Sequence, residues 1–199
     1  MNLAKFLITS AVLSIPASAA TLQFDESVSG DLGGPAAPTS VTLGVGTNTV
    51  VGVTGGPGGA TDRDAFTFTI GTGQSLVSIF LDTYNTVGST ASNTGFYAID
   101  EGSTTIVPNS SNSGQLLTGR TFNFQTFNPP AGQVDLLETT NLTAGPGISG
   151  GELGPGTYTF LIQNTSTLSD FGLSLNVVPE PSSVLLLALG ALGLGRRRR

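Results

Sequence analysis

Carboxylates are the only side chains in this chain placed to do acid–base or metal chemistry. The 199 residues contain no histidine and no cysteine, and the lone lysine, Lys5, lies in an N-terminal stretch that reads as removable. The usual general base, the thiolate nucleophile and the Schiff-base amine are thereby missing together. Gly147-Ile148-Ser149-Gly150-Gly151 matches a nucleophile elbow in letters. An elbow also needs a strand before it, a helix after it and a histidine to accept the serine proton, so it reads as a glycine-rich turn. Asp62 and Asp64, two apart after the glycine-rich run Gly55 to Gly59, suit a hard cation such as Ca²⁺, with loop carbonyls as co-ligands. Arg63 between them would offset part of their charge. The competing reading, an aspartate capping a turn ahead of a strand, stays open. Glu138 and Glu152 flank a flexible loop; a glycan hydrolase would need one of two such carboxyls raised in pKa at a defined separation, and solvated surface charge is the simpler reading. The expectation is therefore no catalytic residue, no enzyme, and no cofactor other than calcium at Asp62 and Asp64.

The elements that would position these residues read as strands. Thr21 to Phe24, Val41 to Val45, Thr49 to Val53, Ala65 to Ile70, Leu76 to Asp82, Gly95 to Ile99, Thr121 to Phe127, Thr157 to Gln163 and Phe171 to Val177 are rich in Thr, Val, Phe and Ile. Several alternate with period two, as in Phe66, Phe68 and Ile70 against Thr67 and Thr69. The segments between them, among them Gly30 to Ser40, Pro108 to Thr118 and Ala144 to Pro155, carry the Gly, Pro, Ser and Asn of exposed loops. The fold class expected is all-β, a single jelly-roll-like β-sandwich of about eight or nine strands over residues 21–177. It is flanked by an N-terminal signal helix and a C-terminal hydrophobic helix. Phe66, Phe68, Phe122, Phe124, Phe127, Tyr158 and Phe160 are expected in the core, and Tyr84 and Tyr97 on the surface. Between the two ends only Arg63 and Arg120 are basic, against twelve acids, a formal charge of −10. Such a surface repels phosphate backbones, so nucleic acid is excluded as a partner.

Both ends read as addresses. Residues 1–20 give Lys5, a short apolar run, Pro16, then Ala17-Ser18-Ala19-Ala20; this is the order of a secretory signal, cut by signal peptidase after Ala19 or Ala20. Residues 178–199 form the other address. Pro179, Glu180 and Pro181 are followed by an apolar helix over 182–195 and by Arg196, Arg197, Arg198 and Arg199, a positive stop that would stay cytoplasmic. The helix is short for a permanent span, which points to transient membrane anchoring.

This tail resembles the PEP-CTERM sorting signal of Gram-negative bacteria, a region also labelled an ice-binding protein C-terminal domain; no regular Thr-x-Thr array supports ice binding. The resemblance implies processing by a membrane-embedded exosortase and export linked to exopolysaccharide or biofilm. A second resemblance rests on Asp62-Arg63-Asp64-Ala65-Phe66-Thr67-Phe68-Thr69-Ile70 with Gly73, and on Gly154-Pro155-Gly156-Thr157-Tyr158. These look like the bacterial pre-peptidase C-terminal type of domain, which implies a β-sandwich. The functional expectation is a structural or adhesive protein of the cell surface or extracellular matrix. Its alternatives are a calcium- or polysaccharide-binding module and, third, a carboxylate-based glycan hydrolase.

Overall fold

The computed structural model describes residues 19–56, 62–86, 94–105, 115–123, 134–138, 147–164 and 167–180. Among the described residues, ten strands form two five-stranded sheets. In chain order they are β1 (Thr21–Asp25), β2 (Thr39–Ser40), β3 (Gly46–Thr54), β4 (Asp62–Ile70), β5 (Gln74–Thr86), β6 (Thr94–Glu101), β7 (Thr118–Asn123), β8 (Val134–Asp135), β9 (Gly156–Asn164) and β10 (Ser169–Pro179). A single helical turn, α1 (Glu26–Ser29), follows β1. The sheet orders are β1-β3-β10-β5-β8 and β2-β4-β9-β6-β7.

With β1 and β2 set aside, the eight remaining strands pair antiparallel throughout. Their order is first, last, third and sixth in one sheet, and second, seventh, fourth and fifth in the other. That is the jelly-roll arrangement, two interlocked Greek keys. β1 and β2 are additions: each pairs parallel with an edge strand, β1 with β3 and β2 with β4. The segment Thr21 to Ser40 is thus a strap running from the edge of one sheet to the edge of the other. It blunts both edges that β3 and β4 would leave unpaired.

One core lies between the sheets. The inward faces of β4 and β9 supply Phe66, Phe68, Ile70, Phe160 and Ile162, and β10 supplies Phe171, Leu173, Leu175 and Val177. The period-two expectation holds there, since Thr67 and Thr69 point outward. A smaller apolar cluster of Ala65, Ala98, Leu116 and Leu161 sits on the outer face of the β4–β9–β6 sheet. Leu116 covers it from the β6–β7 connection, which is therefore part of the packing and not only an exposed loop. Leu32 and Leu153, from two other expected loops, are buried too; Leu153 exchanges backbone hydrogen bonds with Leu76 at 2.9 Å.

Two further expectations fail for identifiable reasons. Val41 to Val45 is not a strand, because after Ser40 the chain must cross to the other sheet and begin β3 at Gly46. The crossing is held by Asn48, whose amide accepts from Gly44 N and donates to Gly44 O, both at 2.8 Å. Tyr84 and Tyr97 are fully buried, not surface rings. Their hydroxyls are satisfied inside: Tyr97 donates to the Leu136 carbonyl at 2.9 Å, and Tyr84 accepts from Asn164 Nδ2 at 2.8 Å. An internal partner lets tyrosine enter a core at little cost.

Candidate functional site

The two ends of the sandwich differ in chemistry. At one end β10 finishes beside the start of β5; at the other, β3 finishes, β4 begins and the strap turns. This second end holds a carboxylate cluster. Asp64 is on the inward face of β4, in step with Phe66 and Phe68, and its accessibility is 0%. Neither of its oxygens makes a well-formed hydrogen bond among the described residues, although the Thr54 hydroxyl lies close enough to offset part of the cost of its burial. The Thr54 hydroxyl nearby donates to the Asp62 carbonyl at 3.3 Å. Glu26 reaches the same space from the other sheet. Its Oε2 accepts from Val53 N at 2.6 Å and its Oε1 from Leu32 N at 3.0 Å, so the carboxylate is pinned over β3. Asp31, just after the glycine that ends α1, completes the group.

One carboxylate oxygen from each of Glu26, Asp31 and Asp64 lies within 4.8 Å of the others. Two oxygens bound to one Ca²⁺ at about 2.4 Å can be no further apart than about 4.8 Å, so the group is within reach of a single ion. All the donors are hard oxygens, which selects Ca²⁺ or Mg²⁺ over softer metals. Asp62 points to the same face as Asp64 but lies outside this group; it adds negative charge to it. Arg63 alternates to the opposite face, where its Nε donates to Gln163 at 3.1 Å.

A glycine makes room for Glu26. A Cβ on Gly52 would come within 2.6 Å of the Glu26 carboxyl carbon and 2.8 Å of the Phe171 ring. The electrostatics follow from the crowding. Burial first, then the charges of Asp62, Glu26 and Asp31, push the Asp64 carboxyl from 3.8 up to about 8. Burial raises Glu26 as well, and burial with the Asp31 charge raises Asp62.

Of the expected calcium pair, then, Asp64 is central and Asp62 peripheral, while Glu26 and Asp31 were not expected. The sequence held one clue to them: Gly52 interrupts the β-branched run Thr49 to Val53, and a glycine inside a strand marks a close approach. Glu138 and Glu152 are both exposed. Gly147 to Gly151 contains a 3-10 turn, Ser149–Gly151, with Gly150 at φ 78°, the expected glycine-rich turn and no elbow. Ala19 and Ala20 are exposed just before β1, whereas the rest of the expected signal, residues 1–18, lies outside the described residues. Pro179 closes β10 and Glu180 follows it; Pro181, the apolar stretch 182–195 and Arg196 to Arg199 lie outside the described residues. Among the described residues no helix is long and apolar enough to cross a membrane.

Residues 177–199 match the family model of the PEP-CTERM protein-sorting motif. The motif marks an exported protein, sorted to the cell surface and processed by exosortase. No curated protein matches the chain.

Proposed function

We propose that this chain is a non-catalytic structural or adhesive component of the cell surface or extracellular matrix, built around a calcium-binding jelly roll. The observation that carries the calcium reading is Asp64, a fully buried carboxylate whose oxygens make no well-formed hydrogen bond and face two more carboxylates, with only the Thr54 hydroxyl nearby to ease its burial. Ionising a buried carboxylate without a partner is costly, which is why Asp64 holds its proton up to about 8, and a divalent cation is the partner of matching chemistry for the ionised form. Calcium would join Glu26 and Asp31 of the strap to Asp64 of the opposite sheet and close the sandwich at that end. Extracellular modules bind calcium with Kd of about 10⁻⁴–10⁻³ M, a range suited to loading after export. The absence of histidine, cysteine and any lysine beyond Lys5 supports a non-enzymatic role, and with it the sorting motif supports delivery to a surface or to exopolysaccharide.

Isothermal titration with CaCl₂ tests the reading. One site is expected, lost in both Glu26→Gln and Asp64→Asn. No binding at about 10 mM calcium (an order-of-magnitude ceiling, about ten times the weakest such Kd) would remove it.

A further inference from the structure

We infer that the end of β10 is a clasp that must open before the sorting motif can be processed. The final strand does not stop short of the motif; it runs into it. Val177 pairs with Leu76, Val178 with Ser75 and Pro179 with Gln74, and the Glu180 N–H donates to the Gly73 carbonyl at 2.9 Å. Gly73 is held in the left-handed region, φ 76°, by the turn that joins β4 to β5, so its carbonyl is fixed by the fold. Pairing with β3 ends at Val177–Gly46. From Val178 onward the strand is therefore held on one side only, by β5 and its turn. Pro179 has no N–H to give, which leaves Glu180 as the last backbone donor to this turn among the described residues.

Of Pro179-Glu180-Pro181, the first residue thus lies in the sheet and the second is tied by its N–H to the turn beside it. An enzyme that handles an extended peptide needs that peptide's backbone N–H and C=O groups for its own groove. The same groups cannot pair with β5 at that moment. No spacer relieves the conflict: the apolar run begins at Val184, and four extended residues span at most about 14 Å. A membrane-embedded enzyme therefore meets the sandwich itself. Peeling Val178 to Glu180 from β5 precedes processing, and the opening equilibrium multiplies into the processing rate. The one-sided pairing keeps this opening local, since β3 still holds β10 up to Val177.

The inference rests on processing by exosortase, and its test separates the two. A Gly/Ser spacer of about six residues, roughly 20 Å when extended, inserted between Val178 and Pro179 leaves the sandwich and the motif intact while uncoupling them. In an exosortase-bearing host, pulse–chase of the full chain and the spacer variant should show processing faster in the variant by about five- to thirtyfold, the effect of freeing one or two hydrogen bonds. Wild type processed and the variant equal or slower would overturn the clasp. If neither chain is processed, the sorting reading fails, and amide hydrogen exchange of the full chain in detergent micelles still decides the clasp. The Glu180 amide should exchange several-fold slower than in the spacer variant; exchange at the same rate in both would overturn it.

Discussion

Replacing Asp64 with asparagine should raise the stability of the calcium-free protein at alkaline pH and abolish its response to calcium. The carboxyl titrates at about 8 in the folded chain against 3.8 ordinarily. The folded state holds the extra proton, so this group costs nothing below about pH 4, where folded and unfolded chains are both protonated. The cost grows as pH rises from about 4 to about 8 and is complete above that. At about 1.36 kcal/mol per unit, the full shift is worth about 6 kcal/mol. Even a third of that, about 2 kcal/mol, moves the melting temperature by about 4–8 °C in a chain of this size. The asparagine side chain keeps the shape, carries no charge and can donate to the Glu26 or Asp31 carboxylate. In EDTA at about pH 9, scanning calorimetry should therefore show Asp64→Asn melting at least about 4 °C above wild type. At a calcium concentration about a hundredfold above Kd, wild type gains about 2.7 kcal/mol, or about 5–11 °C, and the variant gains almost nothing. A variant that melts below wild type in EDTA, or that gains as much from calcium, would show that the buried charge is not the destabilising group.

Three other outcomes follow from the same geometry. Gly52→Ala should weaken calcium binding about tenfold, roughly 1.4 kcal/mol, because its Cβ displaces the Glu26 carboxyl; titration calorimetry reads this, and unchanged affinity would exclude Glu26 as a ligand. Gly95→Ala places a Cβ within 2.6 Å of the Phe122 ring and 2.8 Å of the Tyr84 hydroxyl. It should cost about 1–3 kcal/mol in urea unfolding while leaving calcium affinity as it was. Deleting Pro179 to Arg199 should abolish surface delivery in the native host, read by cell fractionation; unchanged localisation would break the link to the sorting motif.

Much of the fold was legible because alternation is a local property. Phe66, Phe68 and Ile70 announce which face of β4 is buried, and Tyr158, Phe160 and Ile162 do the same for β9. Val41 to Val45 misled because it satisfies the burial pattern without the ladder: Val41 is buried and donates to Thr67 at 2.9 Å, yet the chain there is changing sheets. Tyr84 and Tyr97 misled because the partners of their hydroxyls, Asn164 and Leu136, come from distant parts of the chain. The site was half legible for a similar reason. Asp62-x-Asp64 shows in the sequence, whereas Glu26 and Asp31 reach it only because the strap crosses between sheet edges, and topology of that kind leaves no short-range signature.

Export with processing at both ends is tested most directly by the intact mass of the protein isolated from its native host. The expected chain begins at Ala20 or Thr21 and has lost the residues following the Pro179-Glu180-Pro181 region, with any glycans adding to its mass. A mass equal to that of all 199 residues would contradict this.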